Sequence, residues 1–496
     1  MGDKKCKYHH ICGLDVARSL MDEYRAEDSC ILHSQNPRKL QDNKYYEEFT
    51  KTLEEHRKEK GDDFRHMVFP GDANFSFAKF TKAAYFKGVR FTKTVHFNGA
   101  VFAQGADFSG ATFTEVADFN VTTFSERACF CKAKFSGEVD FGQARFTKGA
   151  DFGRVTFTKG VSFTGADFSE GANFEWVTFD KGGEVSFAWT RFSKGVNFMR
   201  ATFNEGSDFS GTTFGSNGAV FSLAKFLGEM FFAGDQQADG EIVPIFSEVE
   251  VHFTEVAILP PGKITFRRAS LEKCRFLGTD LRTVRTVWVQ WPEIVDPMVR
   301  RLAEWPLIGP RIKKWRIGRR VGVYDEIHAL EGKEKEGTHP PWPEIEQLYR
   351  QLKQNYEDQR DYERAGDFHY GEKEMRRKNP ETSWGLWLLL IFYRLVSGYG
   401  ERVLKPILWA LGLSVVCAVV YLCDLSLKEA TSGNLTSGKS PTWGEVAIYS
   451  FQVTAFFKPQ DFVLSVWAKV IYTLQSLLGP LLLGLFALAV RQKLKR

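Results

Sequence analysis

Several absences narrow this 496-residue chain before any motif does. No apolar run long enough to cross a membrane occurs before residue 384, and Met1 to Lys7 leads into a polar segment. A secretory leader is therefore not expected, and the large N-terminal part is expected to stay in the cytosol. The start MGDKKC has no Ser or Thr at its sixth position, so N-terminal lipidation is not expected. The eight Cys are irregularly spaced and suit reduced thiols or metal ligands rather than a disulfide frame. No nucleophile beside a base, paired acid or phosphate-cradling loop stands out, so no enzymatic activity is expected. Met is scarce at 7, whereas Phe reaches 45, and most of the Phe lie between residues 75 and 232. A bias of that size in one region points to a repeat.

From Phe75 to Phe232, 29 Phe follow one another at gaps that alternate between five and six residues. Two of the 28 gaps depart: eight residues from Phe179 to Phe187, around DKGGEVS, and seven from Phe214 to Phe221, around GSNGAV. Both contain Gly and read as loop bulges. Two positions before each Phe the residue is Ala or Val in 24 of the 29 cases, the others being Thr, Ser or Met. A helix repeats every 3.6 residues and a strand every two, so neither explains an eleven-residue period. A coil with four short sides of 5, 6, 5 and 6 residues does, each side aiming one small residue and one Phe inward. The rings then stack in columns at the β spacing of about 4.8 Å, and about seven turns make a rod of roughly 35 Å. A second large side chain at the small position would not fit in so close-packed a coil.

The ATF, ADF and AKF units, as in GADFSGATFTEVADF, resemble the pentapeptide-repeat family in its Phe-centred form over residues 73 to 232. The likeness continues more raggedly to Leu281, with Leu271, Phe276 and Leu281 keeping a five-residue step. It implies a mainly β cytosolic domain, a right-handed quadrilateral β-helix at 63–283. An N-terminal Cys/His segment and helix would precede it at 1–62, with a helical linker at 284–383 and a membrane domain at 384–496 after it. The fold alone leaves function open. Some members mimic DNA with an acidic rod, but residues 71 to 235 carry 17 Lys plus Arg against 17 Asp plus Glu. A neutral rod argues against DNA mimicry and against a nucleic-acid partner. The expectation is a structural or docking rod for a cytosolic protein partner.

Ile407 to Cys423 is 17 residues without a charge and Val470 to Val490 is 21, long enough to span a hydrocarbon core. Arg394, Arg402 and Lys405 precede the first, and Arg491, Lys493, Lys495 and Arg496 follow the second. The positive-inside rule then gives spans at 404–426 and 464–490 with both termini cytoplasmic in a cell membrane. The Trp-rich stretch WGLWLLLIFYRLVSGYGER, residues 384–402, reads as a helix lying in the interface. Between the spans, a helix is expected to begin near Trp443 with Glu445 in its first turn. It is too short to span, so residues 442–461 read as a re-entrant helix and loop, tolerable only if buried by protein or lining water.

The order span, short helix, loop, span over about 404–496 resembles the two-transmembrane potassium-channel pore module, with AIYSFQVT in the place of the pore helix. Where that family's filter runs Thr-Val-Gly-Tyr-Gly-Asp, this chain has Thr454, Ala455, Phe456, Phe457, Lys458, Pro459, Gln460 and Asp461. Neither Gly is present, so selectivity for potassium by a ring of backbone carbonyls is not expected, and Lys458 at the mouth would repel cations. Three readings stay open for the loop: a poorly selective or anion-tolerant pore, a degenerate pore that serves only as anchor and contact between copies, and a packing hairpin. Lys458 and Lys469 can equally snorkel to the outer headgroups. Gly479, Pro480 and Gly484 in the second span would bend the helix and allow close contact, as packing or as a gating hinge. The resemblance implies a lipid-embedded homo-oligomer, tetrameric if the module is a pore.

At the N-terminus, KCKYHHICG and SCILH supply Cys6, Cys12, Cys30 and His33. Three thiolates and an imidazole suffice for a closed, structural zinc site, the competing reading being buried cysteines and a surface histidine. Residues 44–60 read as a charged helix leading into the rod. RIKKWRIGRR, at 311–320, suits an anionic inner leaflet or a solvated linker face. Ile345, Leu348, Leu352 and Tyr356, then Ala365, Phe368 and Met375, predict two antiparallel helices parted near Asp361. The functional expectation is an ion channel without the potassium signature, regulated by the rod; the alternative is a non-conducting membrane scaffold that docks partners on it.

Overall fold

The computed structural model describes residues 6–7, 10, 30–34, 43–236, 240–302, 304, 318–332, 340–432, 442–455, 457 and 464–494. The chain divides into two compact units, residues 1–340 and 341–496.

The first unit is a β-solenoid. Short strands, most of two residues, stack into four parallel columns of seven, nine, nine and ten strands, and up to Glu229–Ala233 the ladder joins each strand to the fourth one after it. Val68–Phe69 pairs with Arg90–Phe91, and that with Thr112–Phe113, so one coil takes 22 residues. The expected columns of rings are present. Phe80, Phe102, Phe124 and Phe146 succeed one another at 4.5, 4.9 and 4.9 Å with their planes within 5°. Rings in different columns meet edge to face or tilted, as Phe97 meets Phe108 at 5.5 Å and 85° and Phe102 at 6.0 Å and 45°. The edge contacts suit the ring quadrupole, while the backbone ladder imposes the parallel ones. The rod begins before Phe75, with Phe64 stacked on Phe86, and its last ladder strand is Arg285–Val287, giving about ten coils rather than seven.

The alternation of five and six residues comes from two kinds of corner. Five-residue steps pass through a hydrogen-bonded turn, as where Ala78 N–H donates to the Phe75 carbonyl at 3.1 Å with Phe77 at φ 57°. Positive φ at the third turn residue is type II geometry. It recurs at Val121 and Gln143 on that corner and at Lys132, Arg154 and Trp176 on the opposite one. The polar residue before the Phe locks this corner: Asp107, Asp118, Asp140 and Asp151 each accept the N–H two residues on, at 2.7 to 3.0 Å. Asp and Asn form such turns readily. Most ADF units therefore feed the tight corners, and the ATF and AKF units feed the open bends of the six-residue steps.

Three of the five departures from Ala or Val are threonines satisfied locally, whereas the buried Ser207 hydroxyl has no hydrogen-bond partner among the described residues. Thr122, Thr190 and Thr212 are buried, and each hydroxyl donates to a Phe carbonyl of the preceding coil at 2.7 to 2.8 Å. The two longer gaps keep the ladder: Thr178–Phe179 still pairs with Thr202–Phe203 across the DKGGEVS insertion. Glycine is required there, since a Cβ on Gly182 would lie 2.5 Å from the Thr158 carbonyl oxygen. A further excursion after Ala233 carries the antiparallel pair Asp235–Gln236 and Ile242–Val243, and Phe253 then resumes the stack 5.0 Å from Phe221.

Helix α1, Asn43–Lys60, lies where a charged helix was expected and sets Phe49 edge-on to Phe69 of the first coil. At the far end come α2, Pro297–Leu302, and α3, Tyr324–Leu330. Asp325 of α3 accepts the N–H groups of Phe276 and Leu277 at 2.9 and 3.3 Å, closing the last coil. Within the basic stretch, residues 311–317 lie outside the described residues. Of its final arginines, Arg320 is buried on Glu326 at 2.5 Å, and Arg319 is partly exposed and pairs with Glu293 at 2.9 Å. Burial of the first needs a paired carboxylate, which the following α3 supplies.

The second unit is helical. Helices α4, Trp342–Asp358, and α5, Tyr362–Lys378, form the expected pair, and Asp361 caps α5 by accepting from Arg364 N at 3.2 Å. Helix α6, Trp384–Ser397, is apolar but only 14 residues long. Helices α7, Leu404–Ser432, and α9, Val466–Leu494, contain stretches of 21 and 26 residues that are long and apolar enough to cross a membrane. Between them in sequence lies α8, Trp443–Thr454, begun by a capping box in which Thr442 and Glu445 bond each other's backbone N–H.

Candidate functional site

Helix α8 packs against both long helices through Val446, Tyr449 and Val453, which share a buried cluster with Cys417, Tyr421 and Ala468. At twelve residues it is about 18 Å long, short of a hydrocarbon core of about 30 Å. Its buried side carries polar atoms. Ser414 Oγ on α7 donates to Thr454 Oγ1 at 2.7 Å, and Ser450 Oγ donates to the Ser414 carbonyl at 2.7 Å. From α9, Gln475 Nε2 reaches the Ser450 carbonyl, Ser450 Oγ and Thr454 Oγ1, each at 2.8 Å. Tyr421 OH completes the seam by donating to Gln475 Oε1 at 2.6 Å. A polar set of this kind holds apolar helices together by giving each buried donor a partner.

Thr454 and Ala455 form the C-terminal end of α8, and Phe457 is exposed. Phe456, Lys458, Gln460 and Asp461 lie outside the described residues. Of the three residues proposed to bend the second span, Gly479 makes a close approach: a Cβ there would lie 2.3 Å from the Thr454 carbonyl oxygen. Pro480 lies inside α9, and a Cβ on Gly484 would meet nothing within 4 Å. Lys469 is exposed near the start of α9. Sequence reasoning missed Ser414, Ser450 and Gln475, although a polar side chain within an apolar run is the signal that marks them.

A second constellation joins α5 to the apolar helices. Glu374 is buried, and its carboxylate meets Arg394 of α6 at 2.9 Å, Arg377 at 2.8 Å and the Tyr399 hydroxyl at 3.0 Å. One carboxylate thereby fastens the charged helix pair to the start of the apolar region.

In the first unit, Cys6, Cys30 and His33 are buried and their ligand atoms lie within 4.8 Å of one another. Cys30 Sγ is 3.1 Å from His33 Nδ1, and Cys6 Sγ is 3.9 Å from it. His33 Nε2 faces the Arg65 carbonyl at 3.0 Å. A proton held on Nε2 by that carbonyl leaves the Nδ1 lone pair directed at the sulfurs, which is how ligand histidines are oriented. Cys12, the fourth expected ligand, lies outside the described residues. The solenoid also carries a shallow groove of about 440 Å³ along one corner, floored by Gly149, Gly171 and Gly195 and edged by Lys148, Glu170 and Lys194.

The fold and these sites define a β-solenoid built from five-residue units, joined to a helical unit with two helices of membrane-spanning length. The solenoid is of the pentapeptide-repeat class: the family model described as "Pentapeptide repeats (9 copies)" matches residues 64–112, 97–145 and 141–189, about a quarter of the chain. No curated protein and no solved structure matches the chain at a significant level.

Proposed function

We propose that the chain is the subunit of a membrane-embedded, channel-like homo-oligomer whose solenoid receives a cytosolic protein partner. The observation that carries this reading is α8, a helix too short to span, fastened between two spanning helices by the Ser414–Ser450–Thr454–Gln475 seam. An element held in that way presents its C-terminal end, Thr454 and Ala455, at membrane depth, where irregular backbone must be enclosed by protein or line water. Two thirds of the apolar window in α7 and more than three quarters of that in α9 are not buried within one chain. That surface is available to lipid and to neighbouring copies, and a tetramer would place four loops around one axis. The polar side chains of Lys458, Gln460 and Asp461, in place of a glycine filter, suit a weakly selective or anion-tolerant path. Both chain termini are cytoplasmic in this arrangement, and α6 lies in the interface. The structural zinc of the N-terminal head would bind Cys6, Cys30 and His33, with Cys12 as fourth ligand.

Planar-bilayer recording on purified full-length protein tests conduction. Currents whose reversal potential shifts on Lys458→Glu support a pore lined by this loop. Silence in every salt and voltage overturns conduction in favour of a second reading, a membrane-held docking scaffold. The glycine-floored groove favours that reading, because bare backbone at a corner admits close approach of an extended peptide.

A further inference from the structure

Cys129 and Cys131 are not used by any of these readings. They occupy the two positions of a tight solenoid corner that elsewhere hold a capping residue and the residue whose N–H it accepts. One coil earlier these are Asp107 and Ser109, and one coil later Asp151 and Gly153, with N–H to carboxylate distances of 2.9 Å in both. In the cysteine coil both side chains are thiols, half-buried, with their sulfurs 2.7 Å apart. The ladder pairs Cys129 directly with Asp151, so a carboxylate from the next coil lies beside the sulfur pair. The two Sγ atoms and a carboxylate oxygen of Asp151 all fall within 4.8 Å of one another.

The geometry points to a second metal site, in which Cys129, Cys131 and Asp151 hold a thiophilic divalent cation of the zinc type on the solenoid surface. Two thiolates and a carboxylate make three protein ligands, leaving a fourth tetrahedral position open to water or to a donor from outside. Zn–S bonds of about 2.3 Å would hold the sulfurs about 3.8 Å apart, a modest opening of the present pair. The backbone is already fixed by ladder bonds on both sides, since Phe130 N–H donates to the Asp151 carbonyl and Phe108 N–H to that of Cys129, each at 2.7 Å. Little ordering is therefore left for the metal to impose, which favours affinity. Asp151 keeps its place through Oδ1, which accepts from Gly153 N at 2.9 Å and Asn173 Nδ2 at 3.0 Å. Its Oδ2 meets the exposed Arg127 guanidinium at 3.5 Å, and a cation would displace that long contact.

The site is independent of the N-terminal head, so the test is made in a Cys6→Ser/Cys30→Ser background of the full-length protein in detergent. After loading with Zn²⁺ and desalting, elemental analysis is expected to find one equivalent of zinc. Loading with Co²⁺ should give a thiolate-to-cobalt charge-transfer band. Adding Cys129→Ser/Cys131→Ser should abolish both, and Asp151→Ala should weaken binding by about tenfold or more. Serine is compatible with the corner, because Ser162 and Thr164 occupy equivalent positions and Thr164 N donates to Ser162 Oγ at 3.3 Å. Zinc retained by the added serine variant, no zinc in the background protein, or a Cys129–Cys131 disulfide under reducing conditions would each overturn the proposal.

Discussion

The side-chain amide of Gln475 donates to Oγ1 of Thr454 across 2.8 Å, linking the second long helix to the last turn of the short one. Four residues further along α9, Gly479 lets the same turn approach to a distance that no Cβ would tolerate. Polar attachment and close packing thus act on one point, the place where α8 ends and the loop begins.

Gln475→Leu removes the donor to Ser450 and Thr454 and the acceptor for Tyr421. Hydrogen bonds between helices in apolar surroundings are worth about 0.6 to 2 kcal/mol each. Thermal unfolding of the full chain in detergent should fall accordingly. Gly479→Val should lower stability further, because the Thr454 carbonyl has no room to retreat without moving α8. Equal melting of Gln475→Leu and the parent protein would mean the seam holds nothing.

Phe130 is stacked on Phe108 at 4.9 Å and on Phe152 at 5.0 Å, with the ring planes nearly parallel. Phe130→Ala should cost about 3 to 5 kcal/mol in urea unfolding followed by tryptophan fluorescence. Trp176, also aromatic, is exposed and carries Arg200 4.8 Å over its ring. Its replacement by Ala should cost about 0.5 to 1 kcal/mol. A comparable loss from both would show that the columns are not the core.

Burial alone would raise the Glu372 carboxyl, but His369, Lys373 and Lys353 around it outweigh that and bring it down to about 2. Arg350 adds a contact at 3.4 Å. A depressed folded value stabilises the α4–α5 pair above the ordinary carboxylate range. That stability is lost as pH falls from about 4.5 towards 2. Thermal unfolding scanned over this window should decline more steeply in the parent protein than in Glu372→Gln, which starts lower and lacks this proton. Parallel profiles would exclude Glu372 as a contributor.

Cys30→Ser should remove about one equivalent of zinc from protein purified without chelator, measured by elemental analysis. Chelation of the parent protein should expose Leu32 and loosen the strand-like contact between the Leu32 carbonyl and Val68 N, 2.8 Å in the intact fold. Hydrogen exchange at Val68 reads that change directly; exchange indifferent to chelator would leave the head without a structural metal.

The columns of Phe were legible because the repeat is local: each inward position is marked by residue type, and a period of 22 follows from the gaps without any distant contact. Pairing Cys129 with Asp151 follows from the same period once the coil length is known. The start of α8 was legible too, since Thr442 and Glu445 form a cap within four residues. By contrast, nothing local announces that Ser414, Ser450 and Gln475 converge. Their meeting depends on the rotation and depth of three helices, which the sum of many apolar contacts sets. The same holds for Glu374, whose partners Arg394 and Tyr399 become neighbours only when α5 and α6 have packed. Periodic backbone pairing was thus written along the chain, while the polar attachments between helices existed only after folding had chosen which faces touch.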